Sequence, residues 1–195
     1  MHYNFKTNMK YSAPPTQLPD GRYYSKVLND EDKRIVVQLN NSTLVSNFEE
    51  DEVTISLNEA GQSKIKDFDD KNISAAKENS EEWFGKVLSD KVLETAYNKS
   101  LSNDCMIVTK LKNKNKVITN IYTHDKQSAD LEFLTESTVC DIVLEFSGIW
   151  FRNKSYGSVW RLVQIRMKPP QRKPKIQEYL FQDDDPASSS DEDLF

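Results

Sequence analysis

CDIVLEFSGIWFRNKSYGSVWRLVQIRMK, residues Cys140–Lys168, decides the fold. Two runs rich in Val, Ile, Phe and Trp flank Arg152-Asn153-Lys154-Ser155, whose composition is that of a turn. The spacing predicts the longest hairpin of the chain, Cys140–Arg152 with Ser155–Lys168. Pro169 and Pro170 end it, because proline has no N–H to offer a ladder. Strand residues two apart share a face. Val159, Val163, Ile165 and Met167 are therefore expected to face an interior, with Arg161 the exception. The other face would present Trp160, Leu162, Gln164, Arg166 and Lys168.

Upstream the period of two recurs. Arg22–Leu28 and Lys33–Leu39 read as strands joined by a turn at Asn29–Asp32, and Thr43–Phe48 and Glu52–Leu57 as two shorter ones. A polar helical insertion follows. Asn58 is a plausible N-cap, Ile65 and Phe68 are spaced i,i+3, and a second helix from about Ile73 to Phe84 stops at Gly85. Ser89 or Asp90 caps a third helix, whose Val92, Leu93, Ala96, Tyr97 and Leu101 form one apolar stripe. Asp104–Leu111 and Lys116–Thr123 then read as a second hairpin. Its Lys110, Lys112, Lys114 and Lys116, at every second position, would share a face or ring the tip. Strands, helices and strands again predict a mainly β protein, an OB-fold-like small β-barrel with a helical insertion at about residues 59–101. A sandwich and an open α+β sheet are the alternatives. Residues 1–20, with Pro14, Pro15 and Pro19, read as an extended arm, 21–170 as the barrel domain, 171–182 as a basic linker and 183–195 as a disordered acidic tail.

Charge lies in blocks. The formal net charge of −5 conceals Glu49–Glu82, with eleven acids and four bases, and Gly148–Gln182, with eight bases against the single acid Glu178. Local patches decide where a polyanion docks, so the net charge does not exclude nucleic acid. Cys105 and Cys140 each sit in an apolar run, as free thiols do in reducing compartments. There is no apolar leader and no run of ~20 apolar residues, so the chain reads as intracellular with no membrane partner. His2 and His124 lack Cys or His partners at metal spacing, and five glycines leave no phosphate loop. No catalytic residue, metal site or cofactor is expected.

A tryptophan followed by amide and cationic side chains along one strand face suits single-stranded nucleic acid. The indole offers a π-surface at about 1–3 kcal/mol per stacked base while cations track phosphates. The candidate contacts are Trp160, Gln164, Arg166 and Lys168 on that face, Trp150, Arg152, Lys154 and Tyr156 around the hairpin tip, and Lys110, Lys112 and Lys114 before it. Trp150 and Trp160 read equally as core packing, and Trp83 is expected to pack. The tail residues Asp183, Asp184, Asp185, Asp191, Glu192, Asp193, Leu194 and Phe195 form an anionic segment ending in a ring and a free carboxylate. Such a segment can occupy the chain's own cationic groove until a longer polyanion displaces it. It can also enter a basic-rimmed apolar pocket on a partner.

NSEEWFGKVLSDKVLETAY (Asn79–Tyr97) and SGIWFRNKSYGSVWRLVQIRMKPP (Ser147–Pro170) together resemble the single-stranded-DNA-binding proteins of nucleocytoplasmic large DNA viruses. That family is similar in turn to the phage replication type, with an OB fold and an acidic tail ending in an aromatic. The resemblance covers most of Asn79–Pro170. It implies coating of viral DNA in replication and recombination, in a cytoplasmic factory or the nucleus. It also implies a tail that recruits a polymerase, a helicase-primase or other replication proteins. Tyr156, Gly157 and Trp160 match the family's aromatic-glycine-tryptophan run, and Phe195 its terminal aromatic. A homodimer is compatible with it. The competing expectations are a non-enzymatic interaction or transcription-associated factor with these aromatics buried, and an RNA-binding OB protein.

Overall fold

The computed structural model describes residues 8–169 apart from 47, 49, 50, 114 and 115. Strands β1 (Met9–Tyr11), β2 (Thr16–Gln17), β3 (Tyr23–Asn29), β4 (Ile35–Leu44) and β5 (Glu52–Ser56) precede helices α1 (Glu59–Glu78), α2 (Ser80–Phe84) and α3 (Asp90–Ala96). Then come β6 (Tyr97–Asn98), β7 (Cys105–Lys110), β8 (Lys112–Asn113), β9 (Lys116–Val117), β10 (Asn120–Tyr122), β11 (Val139–Arg152) and β12 (Ser155–Met167).

Five strands close a ring. β4 pairs with β5, β5 with β7, β7 with β12 in parallel, β12 with β11, and β11 with β4. The result is an OB-like barrel, in which closure removes free edges. β3 continues the line of β4 rather than forming a hairpin with it. Tyr23–Lys26 face Phe151–Gly148, Ile35–Thr43 face Phe146–Val139, and both therefore lie along one edge of β11. The predicted turn between them loops out, with the Asn29 side-chain oxygen accepting from the Glu31 and Lys33 amides. β1 and β2 both pair with β3, so the arm is stitched to the barrel.

The insertion follows its local signals. The Asn58 side chain accepts from the Gly61 N–H at 2.9 Å, and Gly85 ends α2 in the left-handed region at φ 70°. The expected break before Ile73 is absent. Ile65, Asn72, Ala75 and Ala76 keep one buried face continuous along α1. The expected second hairpin is also corrected. Only its tip, β8–β9, pairs that way, while β10 crosses to lie parallel to β12, Asn120–Tyr122 beside Gln164–Arg166.

The final hairpin forms as read, but its faces do not. Ser147 on β11 and Val163 on β12 have no cross-strand partner, because the register slips there by one residue. Each such β-bulge inverts the alternation of its strand. Before Val163 the inward residues are Tyr156, Trp160 and Leu162, and after it Ile165. Val159 and Arg161 therefore point outward, and the expectation that Trp160 and Leu162 face solvent is overturned.

Candidate nucleic-acid interface

The outer face of β3, β11 and β12 carries two rings lying on glycines. Directly opposed residues in an antiparallel ladder point the same way, and Tyr24, Trp150 and Gly157 form one such row. Trp150, half-buried, lies across Gly157, where a Cβ would stand 3.1 Å from the indole Nε1 and 3.1 Å from the Asn98 carbonyl oxygen. In the next row, Lys26, Gly148 and Val159, a Cβ on Gly148 would run into the Ser25 carbonyl and the Tyr24 ring. The Tyr24 hydroxyl donates to the Ser147 carbonyl. Each ring thus has one side against the sheet, at positions where a side chain would push it off.

Cations surround them. Lys26, Arg152, Lys154 and Arg161 are exposed, and none forms an ion pair among the described residues. Arg22 pairs with Asp20, whose carboxyl is held below the usual carboxylate range first by the Arg22 hydrogen bond. Arg34 is held by Glu145 at 3.6 Å. By contrast, the outer face of β5 and β7 presents Glu52, Thr54, Ile107 and Thr109, with neither ring nor cation. In OB folds that strand pair commonly meets the oligonucleotide together with the loop joining the last two strands. Here the rings and cations gather on the loop side instead.

At the other end of β12, Arg166 and Lys168 share one buried carboxylate, Asp141, with Lys168 at 2.8 Å. Burial pushes the Asp141 carboxyl up. Hydrogen bonds from Arg166, Lys168 and the Asn41 amide outweigh it and hold the group below its usual range. These two cations leave one net positive charge. Gln164, half-buried, stands on the same outer face between Val143 and Asn120.

Three expected contacts turn inward. Tyr156 is fully buried: its hydroxyl donates to the Leu93 carbonyl at 3.1 Å, burial pushes the phenol up to about 12, and Phe84, Tyr97 and Phe151 surround the ring. Trp160, 4% exposed, packs on Phe68 and Phe146 and donates from Nε1 to Ser100 Oγ at 3.1 Å. Neither can stack on a base. Lys110 is buried too, its ammonium donating to the Phe48 carbonyl and lying 4.7 Å over the Phe48 ring. Thr109 takes the outward position beside Arg161. Lys112 is exposed but paired with Asp51, so among the described residues no row of alternating lysines forms. Lys114, the linker and every tail residue from Asp183 to Phe195 lie outside the described residues. Trp83 packs as expected, against Tyr11 and Phe151.

Beneath the outer face a polar cluster ties α1 to the barrel. Asp69 accepts from the Tyr97 hydroxyl at 2.7 Å, from Ser100 Oγ at 2.6 Å and from the Ser100 amide at 2.9 Å. Asn72 donates to Ser158 Oγ and to the Tyr97 hydroxyl. Burial raises the Asp69 carboxyl despite the hydrogen bonds from Tyr97, Ser158 and the Ser100 hydroxyl and amide.

Sequence reading missed Tyr24, Lys26 and Arg161. Arg161 did leave a signal, as the one charged residue in an otherwise apolar set. Tyr24 and Lys26 alternate correctly within β3, but nothing local says that β3 lies beside Trp150.

An OB-like barrel with a ring-and-cation outer face is the class that fold and site define. Residues 30–183 match the family described as "Family of unknown function (DUF5871)", and the chain belongs to it. No curated protein matches. Among solved structures, the chain is similar to the single-stranded DNA-binding protein from bacteriophage Enc34. In complex with ssDNA that protein aligns at a TM-score of 0.45 and 9% identity, over 83% of this chain and 97% of that one. A second structure of that protein aligns at 0.47 and 10%, over 93% and 96%. Its C-terminal truncation aligns at 0.47 and 8%, over 83% and 97%.

Proposed function

We propose that the chain binds single-stranded DNA without sequence preference, along the outer face of β3, β11 and β12. The observation that carries this reading is the pairing of Trp150 and Tyr24, each against a glycine, with Lys26, Arg152, Lys154 and Arg161, which form no ion pair among the described residues, around them. A ring with one free side accepts any base, and cations beside it meet phosphates. The test is a fluorescence titration with oligo-dT at two salt concentrations. Quenching, with affinity that falls as salt rises, is expected because bound phosphates release counterions. Absence of both rejects the reading. A competition between DNA and RNA oligonucleotides decides the nucleic acid, since the 2′-hydroxyl is what distinguishes the two.

The finer reading rests on the motifs of Asn79–Tyr97 and Ser147–Pro170 and on the composition of the tail. The protein coats DNA during viral replication or recombination, in a nucleus or cytoplasmic factory. Its acidic tail competes with DNA, and Phe195 engages a polymerase or helicase-primase partner. Deleting Asp183–Phe195 should tighten DNA binding, and weakened binding would reject the competition. Removing Phe195 alone should abolish capture of the partner while sparing DNA affinity.

A further inference from the structure

The outer face has a second feature, at the end remote from Trp150. A cavity of about 270 Å³ opens there, its lining made of Gln38, Tyr122, Lys126, Asp141, Val143, Gln164 and Arg166 with Ile165 at its base. Strand register builds it. Gln38, Val143 and Gln164 form one row across β4, β11 and β12, and Tyr122 stands beside Arg166 on the parallel β10. Lys126 is placed by the turn that follows β10, where its N–H donates to the Thr123 carbonyl at 3.1 Å. Arg166 is fixed at the rim by Asp141, itself bound to Lys168 and the Asn41 amide.

Three polar groups of this cavity have no protein partner among the described residues: the Gln164 carboxamide, the Tyr122 hydroxyl and the Lys126 ammonium. A carboxamide sets a donor beside an acceptor, and a phenol hydroxyl rotates to serve as either. That pair matches the edge of a nucleobase, whose ring atoms alternate donors and acceptors in the same plane. Val143 supplies an apolar wall for a flat base, and Lys126 and Arg166 at the rim suit the adjoining phosphate.

We propose that this cavity receives a single nucleobase of the bound strand, its edge held by Gln164 and Tyr122 and its phosphate by Lys126 and Arg166. The proposal rests on the single-stranded DNA reading above and adds a second base site to it. Val143 and Trp150 stand seven positions apart on β11 with Ser147 bulged between them, a separation of roughly 20 Å along a strand. An extended strand at about twice the 3.4 Å duplex rise covers that distance in roughly three nucleotides.

The test uses the full chain and the shortest oligo-dT that keeps full affinity, so that its register is set. A single abasic residue is moved along it. Wild-type protein should lose affinity about tenfold at two positions roughly three nucleotides apart. Gln164→Ala and Tyr122→Ala should each erase the loss at one position and leave the other. Trp150→Ala should do the reverse. Failure of wild type to bind the intact oligonucleotide overturns the function and the cavity together. Intact binding with a profile unchanged by Gln164→Ala overturns the cavity alone. So does an unchanged profile with lost binding of a peptide spanning Asp191–Phe195, which would give the cavity to the tail.

Discussion

Trp150→Ala and Trp160→Ala separate the ring proposed to contact DNA from the ring that holds the barrel. Trp150 lies on the outer face against Gly157 and is partly exposed. Its removal forfeits one stacked base, about 1–3 kcal/mol, which is roughly a five- to 150-fold rise in Kd for oligo-dT. Folding loses less than at a fully buried ring, because Trp150 is partly exposed already. Trp160 is 4% exposed, touches the Phe68 and Phe146 rings at centroid distances of 5.2 and 5.0 Å, and satisfies Ser100 Oγ. Its truncation leaves a large cavity and a lost hydrogen bond, and costs about 3–5 kcal/mol of stability.

Fluorescence anisotropy of a labelled oligo-dT gives the first quantity, and urea denaturation at constant m the second. Trp160→Phe keeps most of the packing and should leave Kd within about twofold. Quenching of intrinsic fluorescence by DNA should vanish in Trp150→Phe and persist in Trp83→Phe and Trp160→Phe. A Trp160→Phe protein that folds and has lost DNA binding, beside a Trp150→Ala protein that binds normally, would refute the assignment of faces.

Three further outcomes follow from the same geometry. Gly157→Ala should lift the indole off the sheet and weaken oligo-dT binding several-fold with the barrel folded, whereas Gly148→Ala, facing the Ser25 backbone, should cost at least about 1–3 kcal/mol of stability by overpacking; thermal melts and anisotropy read the two. Arg161→Ala should reduce the slope of log Kd against log salt by about 0.7, the value of one phosphate contact on a single strand, while Lys110→Met leaves that slope unchanged because its ammonium is spent on Phe48 inside. Asp69, raised mainly by burial, binds its proton more tightly folded than unfolded. Its contribution is therefore full below the ordinary carboxylate range and lost as pH rises through the raised value. Denaturant midpoints measured from pH 4 to 7 should fall less steeply in Asp69→Asn, and an identical fall in both proteins would contradict the raised carboxyl.

Local chemistry was legible and long-range register was not. The Asn58 cap, the Gly85 stop and the β11–β12 hairpin with its Arg152–Ser155 turn each depend on residues within a few positions of one another. The side on which Trp160 falls depends on bulges at Ser147 and Val163, and no residue type marks a bulge of this kind in advance. Spacing by two placed Lys110 and Lys112 on a common side, yet which side faced water was set by the pairing of β7 with β5 and β12. Tyr24 reaches Trp150 across more than a hundred residues of chain, a contact that no window of sequence contains.

The two stretches whose wording resembled a DNA-binding family meet each other in the structure. Trp83 and Phe84 from the first pack on Phe151 and Tyr156 from the second, Tyr97 packs on Tyr156, and the Leu93 carbonyl takes the Tyr156 hydroxyl. The resemblance therefore reports a scaffold, an aromatic cluster that clamps α2 and α3 to the final hairpin. Dense packing tolerates few substitutions in such a cluster. A surface that binds any base asks only for a flat ring and a nearby cation. Trp150 and Arg152 sit between the two demands, in the second stretch but on its outward side. Tyr24, Lys26 and Arg161 complete the face from residues that carried no motif, which is why the barrel could be read from the sequence more readily than the face it presents.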